Sequence, residues 1–134
     1  KDIAVLIGAP VPYKNSLYNC ALLLRDGQVQ GMVPKVHLAN YNEFYEKRWF
    51  SSGAEVTEDL AELLGEPVPV LPRAVFRVGG TLLGVEICED MWTPLPPSTF
   101  LALNGAEVIL NLSASQRCFG DARRQFDRQS VCQR

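Results

Sequence analysis

The chain has 134 residues, 47% of them hydrophobic and 21% charged, with 13 Lys and Arg against 15 Asp and Glu for a formal net charge of −2. This balance describes one globular unit with enough apolar surface for a continuous core, and it excludes an intrinsically disordered segment. No apolar run reaches the roughly 20 residues of a spanning helix, no signal peptide opens the chain, and the basic residues are scattered except for a small group near the end. Neither a membrane nor a nucleic acid is therefore expected as a partner.

Four cysteines, Cys20, Cys88, Cys118 and Cys132, are too few and too irregularly spaced for a disulfide scaffold or a CxxC zinc site. They point to a reducing compartment, the cytoplasm, and to a chain without a metal. The sequence begins inside an apolar run with no initiator Met and closes at Arg134 within a helical pattern. It is expected to be a piece of a longer polypeptide.

In chain order, Ile3 to Leu6 reads as a buried strand, broken by Gly8-Ala9-Pro10-Val11-Pro12. Leu17 to Arg25 and Gln28 to Val33 read as a hairpin around the Asp26-Gly27 turn. Residues 35 to 50, KVHLANYNEFYEKRWF, mix aromatic, basic and acidic side chains without a period and read as irregular structure. Thr57 to Leu64 carries an N-terminal Thr, acids in its first turn and Gly65 after its end, which predicts a short helix. Pro67, Pro69 and Pro72 then exclude regular structure.

Ala74 to Val78 and Thr81 to Cys88 form a second hairpin through Gly79-Gly80, and the returning TLLGVEIC is apolar enough to be a central, buried strand. Ser98 to Asn104 reads as a helix closed by Gly105, Glu107 to Leu112 as a strand, and a basic amphipathic helix is predicted from about Asp121. A strand, helix, strand order implies a right-handed crossover. It sets Cys88 and Asn111-Leu112-Ser113 at the carboxyl ends of neighbouring parallel strands, where α/β sheets tend to place their ligands.

Cys88 is the residue with most chemical potential. A free cysteine at the end of an apolar strand reads either as an inert core thiol or as a nucleophile held at a sharp strand end. Glu86, Glu89 and Asp90 flank it, and nearby negative charge disfavours a thiolate, so a compensating group is required. Two are available. His37, the single histidine, offers a Cys–His pair, whereas Lys35 offers an ammonium that stabilises both thiolate and oxyanion. Glu43 and Glu46 lie in the same loop as possible proton carriers or plain surface acids.

The segment Pro34-Lys35-Val36-His37-Leu38-Ala39-Asn40-Tyr41, followed by Glu43-Phe44-Tyr45-Glu46-Lys47-Arg48-Trp49-Phe50, resembles the lysine loop of nitrilase-superfamily amidases. More narrowly, it is similar to the glutaminase domain of glutamine-dependent NAD synthetases. Gly84-Val85-Glu86-Ile87-Cys88-Glu89-Asp90-Met91-Trp92 looks like that family's nucleophile strand, and Asn111-Leu112-Ser113-Ala114-Ser115 matches its next strand end. The motifs occur in the expected order along residues 1 to 134.

The resemblance implies an α/β fold, the nitrilase-like αββα sandwich, incomplete for want of its N-terminal strand and helix. It also implies a Glu, Lys, Cys triad. Lys35 and Cys88 carry over directly, while the general-base Glu lies in a segment before the strand with which this sequence starts. Glu46 corresponds to a second glutamate that positions the lysine or substrate and is not the base. Tyr41, Phe44, Glu89 and Ser115 match positions lining the glutamine pocket, with Glu89 facing the substrate's α-ammonium. The residues alone also allow Tyr41 and Phe44 as core aromatics, Glu89 as a turn acid and Ser115 as a cap.

The implied reaction is amide hydrolysis through a γ-glutamyl thioester on Cys88. The oxyanion is held by Lys35 and the Glu89 backbone N–H, and the ammonia goes to a linked, ATP-dependent synthetase domain that amidates deamido-NAD. No GxxxxGK phosphate loop occurs in the chain, so ATP and Mg are expected only in that other domain and no cofactor in this one. The family's habit implies a homo-oligomer. Alternative readings are a stand-alone nitrilase-superfamily amidase acting on a small amide, and a noncatalytic interaction module with Cys88 in its core. Separated from an upstream base, residues 1 to 134 are expected to turn glutamine over negligibly.

Overall fold

The computed structural model describes residues 3–114. Strand β1 (Ala4–Tyr13) pairs antiparallel with β2 (Ser16–Arg25) from Ala4↔Arg25 to Tyr13↔Ser16. The Asp26-Gly27 turn, with φ of 53° and 80°, has both central residues in the left-handed region that a two-residue hairpin requires. It returns the chain as β3 (Gln28–Pro34), antiparallel to β2. Two further strands, β4 (Asp59–Leu63) and β5 (Glu66–Val70), form a hairpin that joins β3 in parallel through Met32↔Val70. The order in this sheet is β1-β2-β3-β5-β4.

The second sheet contains β6 (Val75–Val78), β7 (Thr81–Ile87) and β8 (Val108–Leu112), with β7 in the middle. β6 and β7 run antiparallel, β7 and β8 parallel, and helix α1 (Pro97–Leu103) makes the crossover between the last two.

The period of two along β2 explains its unbroken apolar run. Cys20 and Leu22 point to one face, where they pack with Val11, Met32, Ala61, Val68 and Val70. Ala21 and Leu23 point to the other, packing with Val33 against Phe76, Val85 and Ile87 of the second sheet. A strand apolar on both faces is a central strand between two packed layers. On β7 the same alternation sends Val85 and Ile87 inward and Gly84 toward α1. A Cβ on Gly84 would come within 2.7 Å of Ile109 Cδ1 and 3.0 Å of Leu101 Cβ, so its absence lets the buried Leu101 lie on the sheet.

Three sequence expectations are corrected. β1 is neither buried at its start, where Ile3, Val5 and Ile7 are exposed, nor broken at Gly8 to Pro12, but runs through to Tyr13. Pro10 and Pro12 are two residues apart, so both nitrogens turn to the same side of the strand, and an edge strand has one side that asks for no donor. Thr57 to Leu64 is no helix, since Asp59–Leu63 is strand β4. Its Leu64-Gly65 step, with φ of 55° and 81°, is a hairpin turn, and Ala61 and Leu63 pack into the core while Leu60 and Leu64 stay exposed. The prolines at 67 and 69 do not exclude regular structure either, because Glu66–Val70 is strand β5. Pairing with β3 at a single point leaves that side of β5 largely free, so the missing donors are tolerated.

The other elements follow the sequence to within a residue or two, including the parallel β7–α1–β8 unit. Residues 35–50 are irregular apart from a 3-10 turn at Glu46–Arg48. The helix expected from Asp121 lies outside the described residues. Among the described residues no helix is long and apolar enough to cross a membrane.

Candidate active site

β7 ends at Ile87, and the chain turns at once through a 3-10 helix, Cys88–Trp92, with Cys88 at φ +48°. A non-glycine residue in this region costs on the order of 1–3 kcal/mol and persists only where its surroundings fix it. Here they do. Asp90 Oδ2 accepts the Ile87 amide at 3.0 Å, and Asn111 on the adjacent β8 donates its side-chain amide to the Cys88 carbonyl at 3.4 Å. The turn presents the half-buried Cys88 to a cleft of about 430 Å³ that Lys35, Phe44, Glu46 and Ser113 also line. Ser113 Oγ lies 3.5 Å from Cys88 Sγ.

Lys35 reaches the cleft because the β2–β3 pairing continues one residue past Pro34. Its amide donates to Asn19 O at 2.8 Å, and its carbonyl accepts the Gly53 amide at 2.7 Å. Gly53 sits so close that a Cβ would meet Lys35 O at 2.8 Å and Pro34 O at 2.9 Å. The lysine is 2% exposed, and a buried ammonium needs a partner. Glu46 supplies it at 2.5 Å. The same Glu46 oxygen accepts the Ala39 amide at 2.7 Å, and its other oxygen accepts Asn19 Nδ2 at 2.9 Å. Burial pushes the Glu46 carboxyl up, but Lys35, Ala39 and Asn19 outweigh it and hold it below the usual range.

The acids flanking the thiol are each occupied by donors. Glu86, 1% exposed, turns toward α1, accepting the Ser98 amide at 3.1 Å and Asn111 Nδ2 at 3.3 Å. Asp90, 2% exposed, accepts the His37 amide at 2.7 Å as well as that of Ile87. Desolvation raises its carboxyl to about 6 in spite of those two bonds. Glu89 accepts the Tyr41 hydroxyl at 2.6 Å, a bond that pushes the Tyr41 phenol up to about 12 and keeps it a donor at neutral pH.

Of the residues singled out in the sequence, Cys88, Lys35, Glu46 and Phe44 share one cleft. Tyr41 packs edge-on to Phe44, with ring centroids 6.0 Å apart, and reaches Glu89 beside the thiol. Ser115, Cys118 and Cys132 lie outside the described residues. His37 does not line the cleft, and its bond to Asp90 comes from its backbone. Cys20 is wholly buried, and burial pushes its thiol up to about 12. Sequence reasoning passed over Asn19, whose signal was an amide in the middle of the apolar run LYNCALLL. It also read Asp90 only as an unwelcome charge.

Known proteins resemble this chain in sequence and in fold. The sequence profile of the carbon–nitrogen hydrolase family matches residues 1–132. A glutamine-dependent NAD(+) synthetase of Mycobacterium leprae is 42% identical over 120 residues, which are 88% of this chain and 18% of that protein. The crystal structure of a glutamine-dependent NAD(+) synthetase from Cytophaga hutchinsonii superposes with a TM-score of 0.78 at 31% identity, over 94% of this chain and 20% of the other. A mutant of the Nesterenkonia amidase, from the nitrilase superfamily, shares the fold at 22% identity with a TM-score of 0.66, over 90% of this chain and 39% of its own. The chain thus spans about a fifth of the length of these synthetase relatives. It carries the nitrilase-like α/β fold and belongs to the carbon–nitrogen hydrolase family.

Proposed function

We propose that the chain hydrolyses the side-chain carboxamide of glutamine as the glutaminase part of a glutamine-dependent NAD synthetase. A linked synthetase domain would consume the ammonia in the ATP-dependent amidation of deamido-NAD. The observation that carries this reading is Cys88, lifted at positive φ from the end of a buried strand into a cleft it shares with the buried Lys35. The similarity to glutamine-dependent NAD(+) synthetases in sequence and structure supports the choice of substrate.

In this mechanism the Cys88 thiolate attacks the carboxamide carbon, and the carbonyl electron pair moves to oxygen. Lys35 and the Glu89 backbone N–H stabilise that oxyanion. The amide nitrogen takes from the general base the proton that the thiol gave up, and leaves as ammonia when the oxyanion collapses to the γ-glutamyl thioester. Water then adds to the thioester, and expulsion of the thiolate yields glutamate. Glu46 serves as a fixed counterion that orients Lys35, since its oxygens already accept three N–H donors. The proton acceptor is accordingly assigned to a different carboxylate, the family's upstream glutamate. Tyr41, Phe44 and Glu89 form the substrate wall, with Glu89 toward the α-ammonium, and Ser115 is assigned to the same pocket. ATP and Mg belong to the synthetase domain, and the cytoplasm and a homo-oligomer are the proposed setting.

The test uses the full-length protein. Cys88→Ala abolishes glutamine-dependent NAD synthesis and leaves ammonia-dependent synthesis intact. Loss of both activities from a folded variant would make Cys88 structural or the synthetase assignment wrong.

A further inference from the structure

Two side-chain bonds join the halves of the site, Tyr41 to Glu89 at the exposed rim and the His37 amide to the buried Asp90. Lys35 stands on a loop running on from the five-stranded sheet, and Cys88 stands on the turn after β7 of the other sheet, 53 residues away in sequence. The packing of the two sheets through Leu23, Val33, Val85 and Ile87 is apolar. Apolar packing sets the separation of the layers but fixes a donor's position less sharply than a directional bond does. The Tyr41–Glu89 bond is exposed, whereas Asp90 supplies directional bonds from a buried carboxylate. Oδ1 accepts the amide of His37, two residues past Lys35, and Oδ2 accepts the amide of Ile87, one residue before Cys88. Both are bonds to a carboxylate, roughly twice as strong as neutral ones, and that carboxylate is buried.

The carboxylate is also an expensive way to hold two loops together. An ionised group buried this deeply costs stability, yet a neutral amide could not make the same tie. Asn could satisfy only one of the two amides, because its NH₂ would face the other N–H donor to donor. A two-acceptor, no-donor group is what this place requires.

We propose that Asp90 is a positioning residue that clamps the Lys35 loop to the Cys88 turn and so sets the ammonium against the thiol. It touches no substrate and acts through Lys35. Its effect on turnover rests on the function proposed above, whereas its effect on the thiol does not.

The experiment follows alkylation of Cys88 by iodoacetamide against pH, read by mass spectrometry on the peptide that carries it. It uses the full-length protein with Asp90→Asn, Asp90→Glu, Lys35→Met and the Asp90→Asn/Lys35→Met pair, with steady-state glutamine hydrolysis in parallel. The sign of the shift is diagnostic. Deleting a negative charge near a thiol lowers its apparent pKa, whereas releasing the compensating ammonium raises it. The clamp predicts a rise of about one pH unit or more in Asp90→Asn, and no rise when Lys35 is already Met. The clamp also predicts that kcat falls about 10²-fold, as for a misplacement of about 1 Å, with KM changed less than about threefold.

Asp90→Glu keeps the charge but displaces it, and is expected to recover part of kcat. A fall or no change in the alkylation midpoint, or an equal shift in the Lys35→Met background, overturns the proposal. So does failure of both Asp90 variants to fold, which would make Asp90 a residue of the fold alone. If the midpoint rises as stated but the parent protein hydrolyses no glutamine, the clamp stands and the proposed function falls.

Discussion

Glu46 and Lys35 form a partly buried ion pair at 2.5 Å in which the lysine is 2% exposed and the glutamate 16%. The pair is locked from behind by Asn19, which donates its side-chain amide to Glu46 and accepts the Lys35 amide on its backbone carbonyl. A carboxylate held by an ammonium, a backbone amide and a side-chain amide is a poor acceptor for a travelling proton. Glu46→Gln is therefore expected to cost about 1.5–3 kcal/mol in stability, the range for a hydrogen bond to a charged group. Turnover should fall but remain measurable. The check is kcat beside a urea midpoint, and a well-folded Glu46→Gln as inactive as Cys88→Ala would make Glu46 the general base.

The two candidate partners of the thiol, Lys35 and His37, can be ranked against each other. Lys35 lines the cleft with Cys88, whereas His37 enters the network through its backbone amide. Lys35→Met should lower kcat by about 10² to 10³ or more, by analogy with loss of an oxyanion donor. His37→Asn, which keeps that amide, should cost much less. The opposite ranking would replace the lysine mechanism with a Cys–His one.

Asp90 makes stability depend on pH in a defined direction. Burial raises its folded-state carboxyl from 3.8 to about 6, so the folded chain binds the proton more tightly than the unfolded one. Its contribution is fully present below about pH 4 and is lost as pH rises through about 6. Two pH units correspond to on the order of 3 kcal/mol. The stability of the parent protein relative to Asp90→Asn should thus decline by that order between pH 4 and 7, measured by urea unfolding at each pH. The comparison cancels the other carboxylates, Glu46 included. A difference that stays flat or grows with pH would contradict the assignment.

Much of this architecture is legible in the sequence because local signals agree with the tertiary ones. Asp26-Gly27 and Gly79-Gly80 mark hairpins with residues suited to positive φ, and TLLGVEIC is apolar because β7 is covered on both faces. β4 is not legible, since TEDLAELL satisfies the helical period and the helical cap at once. Its strand state comes from the Leu64-Gly65 turn and from pairing with β5, whose prolines disguised it in turn. Within the site, residue types leave Lys35 and His37 both open as partners of Cys88 and the family motifs single out Lys35 and Cys88, but a motif cannot say where a carboxylate points. Glu86, Glu89 and Asp90 read alike as a field hostile to the thiol. Three separate sets of donors give them three different tasks.

The central claim is that Cys88 carries the acyl group of glutamine. Acid quenching of the full-length protein during turnover, followed by mass spectrometry, measures this most directly. The account predicts a γ-glutamyl adduct on Cys88 alone, labile to hydroxylamine as a thioester and absent from Cys88→Ala. Glutamine hydrolysis by the parent protein with no such adduct at any quench time, or with the adduct on another residue, would contradict it.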